Sequence, residues 1–248
     1  AVVFLAYLAE FTGYRVFSRL LPQFDSQNVV GRFLGTTPER LFVVMAHYDS
    51  GCATPLSHPV MVRWLRPAHV VIVLSMALVL ATCALDGLGL PAQTDMGLTT
   101  YLRWGAIGVL VVAAAFMFYS SGRREEIRGA NTNASGVAAL LRVAEHYAEH
   151  PPEHADVWVV AMGSHESWMA GLQHFIAEHG FDKDRTYFLN LEGVGAGRLH
   201  YLTAEGLLHL GRSSGPMLAA AEAVAEAHPV RAGRMRTVPS AAHMLLGR

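Results

Sequence analysis

The sequence predicts an α/β domain, built on a mostly parallel sheet with helices on both faces, into which a pair of membrane-spanning helices is inserted. Three observations predict it. Short apolar runs rich in β-branched residues alternate with segments of helical periodicity, the pattern of a strand, a crossover helix and the next strand. Three of those runs stop abruptly at groups able to hold a metal or move a proton: His47 with Asp49, His165 with Glu166, and Glu192. Finally, two uncharged aliphatic runs, residues 68–85 and 104–119, approach the length needed to cross a bilayer.

Composition agrees with a chain that sits partly in lipid. Hydrophobic residues make up 52% and charged residues 16%, with a mean hydropathy of +0.29, more apolar than ordinary soluble domains. The formal net charge is -1, and no basic block points to nucleic acid as a partner. Two cysteines, Cys52 and Cys83, are too few for a disulfide framework. Most of the thirteen histidines, among them His146, His150, His154, His174 and His179, read as solvated surface residues. The chain begins without an initiator methionine, as a fragment of a longer one does.

Residues 1–21 carry apolar positions with Glu10, Arg15 and Arg19 interspersed, which reads as an amphipathic helix or as the tail of a membrane span. Residues 28–33 and 41–46 read as two strands joined as a hairpin through the turn-rich Gly35-Thr36-Thr37-Pro38. The second strand ends in V-V-M-A-H-Y-D-S at residues 43–50. Positions i and i+2 of a strand face one side, so His47 and Asp49 can converge, with the carboxylate accepting a hydrogen bond from the imidazole.

The two aliphatic runs carry aromatic residues near their ends, Tyr101 and Trp104 on one side and Phe116, Phe118 and Tyr119 on the other, as spans do at membrane interfaces. Two buried core helices are the alternative. Arg63, Arg66, Arg123, Arg124 and Arg128 flank the pair, whereas the connection holds Asp86 and Asp95 and no basic residue between them. The positive-inside rule then predicts an inner or cytoplasmic membrane, with the flanking domain on the cytoplasmic side. The expected division is a first part at 1–60, the hairpin at 61–124 and a second part at 125–248.

Beyond the hairpin, G-A-N-T-N-A-S-G at 129–136 leads into a helix whose buried stripe is Val137, Leu140, Leu141, Ala144 and Tyr147. A strand at 156–162, a helix from about 168 to 179 closed by Gly180, a strand at 187–191 and a helix at 216–227 follow. Ligands of such sheets gather at the carboxyl ends of strands. Acids placed directly after apolar strands imply a cation, a hydrogen-bond network or exposure in a cleft.

The order H-Y-D-S, G-A-N-T-N-A-S-G-V-A-A-L-L, G-S-H-E and N-L-E-G-V-G resembles the co-catalytic two-zinc exopeptidases, which include bacterial leucine aminopeptidases, glutamate carboxypeptidase and glutaminyl cyclase. The resemblance runs from about residue 28 to 194, interrupted by the hairpin. It implies a three-layer α/β/α sandwich, a peptide substrate and two zinc ions that activate a water for attack on a terminal peptide bond. It makes His47 a zinc ligand, Asp49 the carboxylate orienting it, Glu166 a ligand of the other zinc, and Glu192 the occupant of an aspartate or glutamate ligand position.

Two positions depart from the pattern. Thr132 stands where the family carries the aspartate bridging both metals, so one or both zinc ions are expected to be lost. His165 stands at the general-base glutamate; a histidine can shuttle protons near neutral pH. The family's last histidine ligand is either replaced by His243 or lies beyond Arg248. Two readings follow: a membrane-attached zinc exopeptidase of the aminopeptidase type, or a non-catalytic relative serving as a binding or membrane-assembly module.

Overall fold

The computed structural model describes residues 1–11, 16, 20, 25–88, 96–207, 209–237 and 240–245. In chain order the elements begin with helix α1 (Val2–Phe11), strands β1 (Val29–Phe33), β2 (Arg40–His47) and β3 (Cys52–Ala53), and the long helices α2 (Pro59–Gly87) and α3 (Met96–Ser121). Strand β4 (Glu125–Glu126), a π-type turn at Ala130–Ala134, helix α4 (Ser135–Glu149), strand β5 (Ala155–Met162) and helix α5 (Ala170–His179) follow. The chain continues through strands β6 (Thr186–Asn190), β7 (His200–Glu205) and β8 (Gly211–Arg212), helix α6 (Gly215–Ala227) and strand β9 (Arg231–Met235). Two compact units result, one from residues 1–23 and 52–125, the other from 24–51 and 126–248.

In the first unit α2 and α3 run for 29 and 26 residues, longer at both ends than the aliphatic runs alone predict. At 1.5 Å per residue each exceeds the roughly 30 Å of a hydrocarbon core. Only 17% and 6% of their most apolar windows are buried, so the helices turn their aliphatic side chains outward, unlike helices of a protein core. The pair is tied together by Arg103, which donates to the hydroxyl and carbonyl of Thr82, each at 3.2 Å, and to the Asp86 carboxylate. Helix α1 joins α2 through Tyr7, whose hydroxyl lies 3.0 Å from Nδ1 of His69. The helix expected over residues 1–21 is present as Val2–Phe11; Arg15 and Arg19, like Asp95 of the connection, lie outside the described residues.

The second unit is built on a four-stranded sheet of order β1-β5-β2-β6. Strands β5, β2 and β6 run parallel and β1 is antiparallel to β5, so the sheet is mixed. The expected β1–β2 hairpin does not form, because β5 lies between the two strands. The connection at 34–39 crosses the start of β5 instead: Thr37 N donates to Glu153 O and Glu39 N to His154 O, both at 3.0 Å. Gly35 N completes the crossing with a 2.9 Å bond to the Asp156 carboxylate. Turn-rich composition signals a chain reversal without saying how many strands it spans.

Alternation along β2 assigns its side chains to two faces. Val43 and Met45 join Val160, Met162 and α5 residues Leu172 and Phe175 in one cluster. Val44 and Ala46 join Val157, Val159 and α4 residue Leu140 in another. Of the predicted α4 stripe, Val137, Ala144 and Tyr147 pack there as well, whereas Leu141 is 63% exposed; one residue past Leu140 rotates the side chain about 100° from the sheet. Helix α5 starts later than expected because Trp168 and Met169 have φ of 56° and 57°, and Gly180 ends it in the left-handed conformation. His179 is not a solvated histidine: its ring packs against Trp158, Phe175 and Phe181.

A second, three-stranded sheet of order β8-β7-β9 was not anticipated. Its strands, H-Y-L-T-A-E, G-R and R-A-G-R-M, are short, polar or glycine-broken and lack the apolar alternation that marks a strand.

Gly136, in the first turn of α4, is where the helix meets the end of β6, since a Cβ there would collide with the Leu191 carbonyl oxygen. Gly136→Ala is expected to destabilise this unit by about 1–3 kcal/mol through overpacking. Phe175→Ala is expected to cost about 3–5 kcal/mol through a cavity. Chemical denaturation of the purified variants checks both.

Candidate metal centre

The centre begins at the carboxyl end of β2, where the flanking parallel strands β5 and β6 leave His47 only 2% exposed. Its Nδ1 lies 3.0 Å from the carbonyl oxygen of Asp49 and 3.6 Å from that residue's Oδ1. The backbone carbonyl, rather than the carboxylate, is thus the nearer partner. An Nδ1–H donated there leaves the lone pair on Nε2, which is buried and has no hydrogen-bond partner among the described residues. The Asp49 carboxylate instead accepts from Glu166 N at 2.9 Å, fastening the β2 end to the loop after β5. Asn133, 5% exposed, donates from Nδ2 to Tyr48 O at 2.9 Å and to the Ser50 hydroxyl at 3.2 Å.

The loop after β5 carries His165 and Glu166 on a strained path. Ser164, Trp168 and Met169 all have positive φ, a conformation that costs non-glycine residues of order 1–3 kcal/mol each and clusters at functional sites. Asn28 holds the loop at both ends, accepting from Gly163 N at 3.1 Å and donating to Gly171 O at 2.9 Å. The His165 ring stacks on His47 with centroids 4.0 Å apart and 21° between planes. Glu166 lies over Gly51, where a Cβ would stand 2.7 Å from its carboxyl carbon. At the end of β6, Asn190 donates from Nδ2 to Glu192 Oε2 at 3.1 Å.

His47, His165 and Glu192 each present a donor atom, all within 4.8 Å of one another. The unpartnered Nε2 of His47 fits the demand of a metal ion, since a buried imidazole nitrogen without a partner is otherwise unfavourable. Glu166 and Thr132 fall outside this set. Thr132 is exposed, and its hydroxyl lies 3.4 Å from Asn133 Oδ1. His243 also falls outside; it sits on the turn Ala241–Leu245 with Nδ1 buried and without a hydrogen-bond partner among the described residues. Beside that turn the Ser240 hydroxyl donates at 2.9 Å to the buried Glu205.

Three asparagines that support the centre went unassigned in the sequence. Asn133 and Asn190 lie within the motifs themselves, and a polar residue in a turn before a helix or at the end of an apolar strand is their signal. Asn28 carries none, because its partners lie far along the chain.

Charge at the centre is finely balanced. Burial pulls the His47 imidazole toward neutrality, but the hydrogen bond to Asp49 and the charges of Glu192 and Asp49 outweigh it and raise its pKa. Burial works against the Asp49 carboxylate too, yet His47 and the N–H groups of Glu166 and His165 bring it down to about 2. Burial, then the adjacent His47 charge, lowers His165 to about 4, so at neutral pH its ring is uncharged and able to donate a lone pair. Burial raises both Glu166 and Glu192. Carboxylates and imidazoles crowded in this way favour a cation.

Two histidines and a glutamate converging at the parallel strand ends of an α/β unit make a donor set that could hold a metal ion. Peptidase family M28 matches residues 110–240, and the chain belongs to that family. Among curated proteins it is 41% identical over 85 residues to the vacuolar membrane protease of Schizosaccharomyces japonicus, covering 34% of this chain and 10% of that protein. The vacuolar membrane protease of Schizophyllum commune is 38% identical over 69 residues, and that of Schizosaccharomyces pombe 35% over 69 residues, each covering 28% of this chain and 8% of the relative. The chain thus spans about a tenth or less of the length of these relatives. No solved structure matches it.

Asn133→Ala releases the Tyr48 carbonyl and the Ser50 hydroxyl beside His47. By loosening the strand end that carries His47 it is expected to weaken metal binding by up to about 10-fold, the low end of what a ligand's own outer partners contribute, with the affinity read by isothermal titration.

Proposed function

We propose that this chain is part of a membrane-attached zinc metallopeptidase that hydrolyses terminal peptide bonds, an exopeptidase of the aminopeptidase type with peptide as substrate. The observation that carries the reading is the buried His47 Nε2, without a hydrogen-bond partner among the described residues, on a side chain whose donor lies within 4.8 Å of those of His165 and Glu192. Membership of Peptidase family M28 and the likeness to vacuolar membrane proteases support it. So do α2 and α3, long and apolar enough to enter a lipid bilayer.

In this reading residues 1–60 and 125–248 form one peptidase domain, a three-layer α/β/α sandwich, with residues 61–124 inserted as its membrane hairpin. Packing of α4 and α5 on opposite faces of the four-stranded sheet supports the layering. Asp49 orients His47 through its carbonyl and holds the Glu166 backbone through its carboxylate. Asn190 aims Glu192. His165 occupies the proton-transfer position of the resembling exopeptidases, and zinc, when bound, would supply the Lewis acidity that activates water and polarises the scissile carbonyl. The arginines flanking the hairpin support a cytoplasmic-side peptidase domain in an inner or cytoplasmic membrane.

A second reading, a non-catalytic relative that binds peptide or assembles in the membrane, is favoured by Thr132, whose neutral hydroxyl cannot bridge two cations. Hydrolysis of amino-acyl chromogenic substrates by the purified chain separates the two readings. Turnover abolished by a chelator and restored by zinc is expected, and an inert, zinc-loaded protein supports the non-catalytic relative. A reporter fused after Asp95 is expected to read as external; a cytoplasmic signal reverses the orientation.

A further inference from the structure

The donors that converge at the strand ends are only in part those of the resembling two-zinc exopeptidases: His47 and Glu192 stand at ligand positions there, and His165 does not. Thr132 offers no charge with which to bridge two cations, and without a bridging carboxylate two dications held about 3.5–4 Å apart repel each other unscreened. Glu166 lies over Gly51, outside the converging set. His165, its neighbour, is turned inward by the positive-φ path through Ser164 and stacks on His47, which brings its donor within 4.8 Å of those of His47 and Glu192.

We propose that this chain binds one divalent transition-metal ion, zinc or cobalt, on His47, His165 and Glu192, with Glu166 left free of the metal. Two imidazoles and one carboxylate with a fourth position open are a donor set of catalytic mononuclear zinc. Ligands sharing a tetrahedral ion at about 2.0–2.1 Å lie about 3.4 Å apart, so side-chain adjustments of about an ångström close the set around the ion. Asp49 and Asn190 already hold two of the three ligands from behind. The assignment rests on the metallopeptidase reading for the nature of the metal and changes one role within it: His165 holds the ion instead of moving the proton.

The test uses the full chain in detergent, stripped of metal and titrated with Co(II), alongside zinc X-ray absorption of the reloaded protein. One equivalent of Co(II) with the intense visible bands of a tetrahedral site, and two imidazoles in the zinc absorption spectrum, are expected. His165→Phe keeps a ring to stack on His47 and is expected to lower Co(II) affinity at least about 100-fold, whereas Glu166→Gln leaves it unchanged. Two equivalents per chain, a single imidazole, no binding at all, or loss of affinity in Glu166→Gln with His165→Phe unaffected overturns the proposal. The spectra of the unsubstituted chain decide the matter even if a variant fails to fold. Failure of the peptidase reading shows separately, as absence of peptide turnover by a chain that binds its single ion as described.

Discussion

A buried imidazole with one nitrogen satisfied and the other empty is the constraint on which the rest of the second unit turns. His47 lies at the end of the central strand, 2% exposed, with Nδ1 on the Asp49 carbonyl and Nε2 without a hydrogen-bond partner among the described residues. An apolar residue there would join the Met45 and Met162 cluster at no electrostatic cost. What surrounds His47 is instead polar and held in place: Asp49 by the Glu166 backbone, Tyr48 and Ser50 by Asn133, and the loop after β5 by Asn28. These asparagines bridge segments far apart in sequence, so the geometry of the strand ends is a property of the folded sheet and not of any one loop.

The pattern of departures from the two-zinc exopeptidases is coherent in physical terms. With Thr132 in place of one acid and His165 in place of another, the centre holds two fewer negative charges, and charge is what a second cation needs. Burial pushes the carboxylates of Glu166 and Glu192 upward, whereas His47 and backbone N–H groups hold Asp49 down. A centre suited to fewer positive charges follows from the same two substitutions.

What could be read beforehand tracks the physical source of each signal. Strands β2 and β5 are legible because burial on both faces makes them continuous apolar runs, and β6, at the sheet edge and only partly buried, through Tyr187, Phe188 and Leu189; the ends of those runs name His47, His165 and Glu192. The hairpin of β1 with β2 was misread because pairing order depends on β5, and a turn sequence such as Gly35-Thr36-Thr37-Pro38 is blind to what it steps over. The β8-β7-β9 sheet escaped notice because T-A-E and G-R-M carry no apolar alternation. Separating the ligand-like His165 from Glu166 needs the folded loop: adjacent residues look equivalent in a motif, and only the structure puts the His165 ring on His47 and the Glu166 carboxylate over Gly51.

The sheet order also sets a schedule. Strand β2 pairs on one edge with β5 and on the other with β6, and both partners follow α2 and α3 in the chain. As the polypeptide leaves the ribosome, Arg40–His47 emerges with two bare edges and a nearly uninterrupted apolar sequence, a form prone to mispairing. It keeps that form while both long helices are being made, so completion of the centre is paced by the handling of the hairpin, and the strand that carries His47 waits throughout for both of its partners.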